Sequence, residues 1–199
     1  MKSNTTKKIA IAGMLIAVGV IGGAWSFPVG ASKCAPVQHM VNILAAGVLG
    51  PWYGVIMAFI TSCIRLAMGT GTLMAFPGSM CGAFLSGVLC IAFRKIRFPR
   101  KKNIVLRGKL SVLRGKLNVI IDEMFGNGTL GAIIGELFGT AVIGGILAYP
   151  VASLLMGNDK ATMFGYIIPF LISTLAGTII GTIVYIALRK TKALDKMGI

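Results

Sequence analysis

The sequence predicts an all-α integral membrane protein: one domain spanning residues 1–199, built as a bundle of six transmembrane helices. Three observations predict it. Composition is the first: 56% of the 199 residues are hydrophobic and 13% are charged, with a mean hydropathy of +0.86, whereas a soluble domain carries about 25% charged residues. The second is segmentation, since apolar runs long enough to cross ~30 Å of hydrocarbon recur along the chain. The third is the placement of the cations. Twenty Lys and Arg against five Asp and Glu give a net charge of +15, but a nucleic-acid binder spreads its cations over a polar surface that this chain lacks. Nucleic acid is thus excluded as a partner and lipid is expected in its place. The 27 glycines are about twice the average share, as helices packed backbone to backbone in a bilayer require. Four cysteines, Cys34, Cys63, Cys81 and Cys90, include no C-x-x-C pair, which excludes a disulfide scaffold.

The first span, Ile9 to Phe27, follows Lys7 and Lys8 and resembles a signal-peptide core, but it is long and no A-x-A-like site ends it. The second, Val37 to Leu49, is short and is broken by Gly50-Pro51. Pro51 suits the first turn of the third span, Trp52 to Met68. The polar Gly69-Thr-Gly-Thr72 connection leads to Phe76-Pro77 and to a fourth span, Pro77 to Phe93. Thr129 to Met156 and Met163 to Leu188 form the fifth and sixth, both long enough to cross with some tilt.

The cations test this count. With a cytoplasmic N-terminus, seventeen of the twenty fall inside: Lys2, Lys7, Lys8, the ten between Arg94 and Lys116, and Arg189, Lys190, Lys192 and Lys196. Lys33 and Lys160 fall outside and Arg65 lies within a span. Such a split is what the positive-inside rule demands, so both termini are expected in the cytoplasm of a multi-pass cell-membrane protein. Residues 94–128 form a basic cytoplasmic insertion carrying a tandem heptad, Val105 to Ser111 and Val112 to Asn118. It reads either as a solvated loop or as an amphipathic helix on anionic lipid, weakened by one glycine per repeat.

Ionisable groups within spans are costly and mark candidate sites. His39 stands in Pro36-Val-Gln-His-Met-Val-Asn42, near the outer end of the second span. Helical spacing puts Gln38 and Asn42 on one face. These side chains, with Lys33, could hydrogen-bond a small heteroaromatic ligand or could simply satisfy helix ends. A single His with no second ligand at metal spacing argues against a metal, and no cofactor is expected. Arg65, near the outer end of the third span, could snorkel, pair with Glu136, or hold a ligand anion. Glu136 is the sole acid of the fifth span, flanked by Gly131, Gly135 and Gly139, and a buried carboxylate there needs a partner. Gly13 and Ala17, Gly19 and Gly23, and Gly177 and Gly181 are each four apart, a spacing that serves helix contacts inside or outside the bundle. There is no G-x-x-x-x-G-K-[ST] motif, so an ATP-driven process needs another chain.

Phe27-Pro-Val-Gly30, Pro36-Val-Gln-His-Met-Val-Asn42, Leu49-Gly-Pro-Trp-Tyr53, Gly69-Thr-Gly-Thr-Leu73, Ala75-Phe-Pro-Gly-Ser79, Gly135-Glu136 and Leu147-Ala-Tyr-Pro-Val151 together resemble the ThiW family. The likeness covers nearly the whole chain in order and departs at the 94–128 insertion, which is longer than the family suggests. ThiW proteins are substrate-capture (S) components of energy-coupling factor transporters, associated with the thiamine-precursor thiazole. The resemblance implies a six-helix protein that captures hydroxyethylthiazole or a close analogue from outside. It further implies docking on a transmembrane coupling protein driven by two ATPase subunits. Gly13 and Ala17 match the small-x-x-x-small contact that the first helix offers the coupling protein. The superfamily's pocket lies toward the outer face, which points to Lys33, Gln38, His39 and Asn42, to Thr70, Thr72 and Phe76, and to Glu136 and Tyr149. Phe76 or Tyr149 would stack on the ring and Glu136 would accept from the hydroxyl.

Two other function classes compete. One is an intramembrane enzyme using His39 and Glu136 as acid and base, the other a membrane anchor or assembly protein; within the transport class, the pocket could serve another thiamine-related molecule. No nucleophile stands paired with a base and an orienting third group, so the expectation is no enzyme. A membrane anchor would not need an outer cluster of Gln, His, Asn and Thr. Stabilisation by a ligand that binds only the folded chain separates the three.

Overall fold

Proline and glycine set the helix boundaries. A computed structural model describes residues 2–30, 32–96, 128–158, 162, 164–191 and 193–196. Helix α1 (Lys2–Gly22) tightens into a 3-10 turn at Gly23–Trp25. The first span was expected to reach Phe27, but Phe27 precedes Pro28, and a residue before proline is pushed out of the helical region. Instead β1 (Phe27–Val29) pairs antiparallel with β2 (Ser32–Cys34), in the register Phe27 to Cys34, Pro28 to Lys33 and Val29 to Ser32. Pro36 opens α2 (Pro36–Val48) and Pro51 opens α3 (Pro51–Ala67), each at a position where its missing N–H costs nothing. Between the two, Gly50 takes φ 93°, a turn that a side chain would strain. Then follow α4 (Ala75–Lys95), the long α5 (Thr129–Leu155), α6 (Ile167–Lys190) and a short α7 (Ala193–Lys196). The tandem heptad and most of the 94–128 insertion lie outside the described residues, as does Lys160.

Among the described residues the fold is mostly helical. Four helices, α1, α4, α5 and α6, are long and apolar enough to cross a membrane. The second and third expected spans are shorter: α2 and α3 have 13 and 17 residues, rising about 20 and 26 Å. For α2 the reason is its position. It packs against α1, α3, α4, α5 and α6, so its backbone and side chains meet protein rather than lipid and need not match the bilayer thickness. The fifth span is helical throughout, but Phe138–Gly144 and Val151–Leu155 widen into π turns, the second directly after Pro150. Proline removes an N–H and crowds the preceding turn, which accounts for the second widening.

The distribution of side chains is inverted relative to a soluble protein. Trp25, Trp52, Leu154, Ile168, Ile179 and Ile183 are exposed, while Gln38, Asn42, Arg65, Glu136, Thr140 and Thr174 are buried. An apolar solvent reverses the sorting, and the polar groups retreat where protein partners can satisfy them.

Glycines bring the helices together. A methyl group on Gly131, Gly135 or Gly139 would collide with the backbone of α4 at Leu89, Leu85 and Cys81 respectively, so α5 lies along α4 with almost no separation. On α6, Gly177 and Gly181 accept α2 at Pro36, His39 and Met40. Gly19 and Gly23 face Thr61 and Arg65 inside the bundle, whereas Gly13 meets nothing within 4 Å. Internal packing thus takes seven of the glycines singled out in the sequence and leaves Gly13 on an open face. Gly135→Ala is expected to destabilise the bundle by about 1–3 kcal/mol through overpacking. Gly13→Ala should leave the thermal midpoint in detergent unchanged or slightly raised, and the two midpoints measured side by side check the assignment.

Candidate functional site

At the end of the bundle that carries the hairpin, the C-terminal ends of α1 and α3 meet the N-terminal ends of α2, α4 and α6. The hairpin is pinned there: the Cys34 thiol donates to the Pro169 carbonyl at 3.1 Å and the Ala35 amide donates to Ser173 Oγ at 2.8 Å. Burial pushes the Cys34 thiol up from its ordinary pKa, so it remains a protonated donor rather than a reactive thiolate. Beneath the hairpin lies a cavity of about 40 Å³, room for about three waters.

Its deepest wall rests on one carboxylate. Glu136 is fully buried, and its Oε1 accepts from His39 Nδ1 at 2.8 Å, Asn42 Nδ2 at 2.9 Å and Thr140 Oγ1 at 3.2 Å. Asn42 Nδ2 also donates to the Ser79 carbonyl at 3.2 Å, which ties α2 to α4 as well as to α5. The helical spacing of the sequence explains the convergence. Glu136 and Thr140 stand one turn apart on α5, while His39 and Asn42 stand one turn apart on α2. Donation from Nδ1 leaves Nε2 as the other ring nitrogen of a side chain that lines the cavity, an acceptor on the neutral ring and a donor on the cation. Gly82 on α4 makes room for the cluster, since a methyl group there would strike Thr140 Oγ1 and both Glu136 oxygens.

The cavity is lined by Lys33, Gln38, His39 and Thr72 of the expected residues. Asn42 and Glu136 stand behind that wall and hold His39. Glu136, expected to meet a ligand or to pair with Arg65, is fully buried and does not line the cavity. Thr70, Phe76 and Tyr149 do not line the cavity. Thr70 closes the loop after α3, with its hydroxyl donating to the Arg65 carbonyl and its own carbonyl accepting from Arg65 Nη2. Phe76 packs edge-on against Phe59 at 5.7 Å, and Tyr149 lies exposed on the outside of α5. The aromatic contribution comes from Phe170 of α6, with Ser79 and Ser173 adding hydroxyls and Arg65 a buried cation. Nothing in the one-dimensional pattern distinguished Phe170 or Ser173 from their many apolar and small neighbours in the sixth span. Arg65 was legible as a buried cation, and the pairing with Glu136 weighed for it goes to His39 instead. A larger groove of about 580 Å³ between α5 and α6 is walled almost wholly by aliphatic side chains, so it lacks the converging polar groups of a recognition site.

A family model described as thiamine-precursor transporter protein (ThiW) matches residues 9–106 and 111–191. The chain belongs to the ThiW family. The match omits only residues 107–110 between its two parts, inside the first heptad, so the 94–128 insertion departs from the family far less than its length suggested. No curated protein and no solved structure matches the chain. ThiW membership makes this a thiamine-precursor transporter protein, with a small-molecule substrate and a membrane setting, and a transporter family assigns it no catalysis.

Because His39, Asn42 and Thr140 share one carboxylate oxygen, their energies are coupled. Glu136→Gln is expected to cost about 1–3 kcal/mol of stability by burying an amide NH2 where Oε2 has no partner. His39→Gln added to that variant should cost less than it does alone, since both changes act on one network. Unfolding midpoints of the two single variants and the double variant check this.

Proposed function

We propose that this ThiW protein is the substrate-capture component of an energy-coupling factor importer and that it takes up hydroxyethylthiazole or a close analogue. In this reading the chain crosses the cell membrane six times, with both termini and residues 94–128 in the cytoplasm and the hairpin outside. The observation that carries it is the partly open cavity under the hairpin, whose wall is a preset hydrogen-bonding surface backed by Glu136. Ligand pockets usually enclose about 300–1,000 Å³, so this cavity favours a small ligand and must widen to admit one ring and a short side chain.

The chemistry matches such a ligand. A thiazole offers an aromatic face, one ring-nitrogen acceptor and one hydroxyl. Phe170 supplies the apolar contact, His39 and Gln38 supply hydrogen bonds, and Lys33 stands at the mouth. The fixed His39 orientation avoids an ordering cost on binding. Stacking, first expected from Phe76 or Tyr149, passes to Phe170.

Transport needs energy from elsewhere, since the chain has no phosphate-binding loop. Gly13 and Ala17 are both exposed on α1, beside the exposed Met14, Val18 and Ile21. A flat face of small and apolar residues allows close approach of a second helix, which suits docking on a transmembrane coupling protein that carries two ATPase subunits.

His39→Ala should weaken binding of the thiazole by about tenfold or more in titration of the purified chain. Unchanged affinity would count against this pocket. Replacing Gly13 or Ala17 with Leu should reduce assembly with the coupling protein and uptake into cells while leaving the purified chain's ligand affinity intact. A parallel loss of both would mean that the face serves the bundle itself.

A further inference from the structure

Arg65 is 2% exposed, yet among the described residues it makes no ion pair. Its Nη2 donates to the Thr70 carbonyl at 3.3 Å, and its Nε has no partner. A guanidinium cannot relieve this by giving up its proton, and a buried charge without a counter-ion is among the costliest features a fold can carry. The side chain is nonetheless held firmly. Gly23 of α1 is bare against it, since a methyl group there would strike Arg65 Nε, and Gly71 lies against its Cβ. Such confinement with an unanswered charge is the mark of a group waiting for a ligand.

Gln38 reinforces the point. It is also 2% exposed, and both its amide nitrogen and its amide oxygen lack partners. Arg65 and Gln38 line the same cavity, with Lys33 at its edge and the hydroxyl-bearing Thr72, Ser79 and Ser173 around it. The one carboxylate nearby among the described residues, Glu136, gives Oε1 to His39, Asn42 and Thr140, keeps Oε2 without a partner, and forms its ion pair with His39 rather than Arg65. The cavity wall thus carries the cations Arg65 and Lys33 and no carboxylate. A neutral alcohol would leave Arg65 as it stands, whereas an oxyanion would satisfy it with charge-assisted hydrogen bonds.

We infer that the ligand of this cavity carries an oxyanion, a carboxylate or a phosphoryl group, with Arg65 as its counter-ion and the Gln38 amide as a further hydrogen-bonding partner. The inference rests on the thiamine-precursor reading and narrows it from a neutral thiazole to an anionic one. Lys33, the exposed residue of β2 at the mouth, draws the anion in rather than fixing it.

The test titrates the purified full-length chain with three probes: 4-methyl-5-(2-hydroxyethyl)thiazole, its phosphate ester, and 4-methylthiazole-5-acetic acid. At least one anion should bind about tenfold or more tightly than the alcohol, and the identity of that anion distinguishes phosphoryl from carboxylate. Arg65→Gln should abolish the preference by weakening the anion about tenfold or more relative to the alcohol, and Lys33→Gln should weaken the anion by a smaller factor. Equal binding of all three probes, or a preference that survives Arg65→Gln, overturns the inference while the thiazole reading stands. If no probe binds, both fall. Should Arg65→Gln not fold, discrimination by the unmodified chain, with the Lys33→Gln variant beside it, decides the matter.

Discussion

The buried carboxylate of Glu136 is the constraint around which this bundle is arranged. A buried carboxyl oxygen needs donors, and Oε1 collects them from two helices, His39 and Asn42 from α2 and Thr140 from its own α5, while Oε2 has no partner. Asn42 extends the tie to the α4 backbone at Ser79. Three helices are thereby fixed in register by one side chain, and the ring of His39 acquires a defined tautomer and direction. Gly82 and Gly177 follow from the same demand. Gly82 leaves space for the carboxylate, and Gly177 lets α6 press against Pro36 and His39.

Lipid as solvent explains the rest of the architecture. The bundle gains nothing by hiding Ile179 or Leu154 from hydrocarbon, so cohesion comes from close backbone approach and from polar contacts. The Gly131, Gly135 and Gly139 ladder supplies the first and the α2 polar face supplies the second. A helix as short as α2 is tolerated because five neighbours enclose it. The same enclosure gives its first two turns a dry, structured surroundings in which a few hydrogen bonds discriminate strongly between ligands. The π turn at Phe138–Gly144 carries Thr140, and a widened turn is a common device for presenting a side chain at a functional position.

The composition, the apolar runs and the lysine and arginine distribution determined by themselves that this is a helical membrane protein, because hydropathy and charge act locally and need no knowledge of packing. Prolines 36 and 51 and Gly50 fixed helix starts for equally local reasons. Glu136, His39, Asn42 and Gln38 were legible as candidates because polar groups in apolar runs are expensive wherever they fall. What the tertiary structure alone decided is who meets whom. Glu136 pairs with His39, 97 positions away, rather than with Arg65. Phe170 rather than Phe76 or Tyr149 reaches the cavity, and Gly13 rather than Gly19 or Gly23 is left on an open face. Every apolar run offers aromatic and small residues on all sides, so the sequence cannot say which side faces a neighbour. That choice is made by the rotation of each helix, which the collective demands of a buried carboxylate and close glycine contacts impose together.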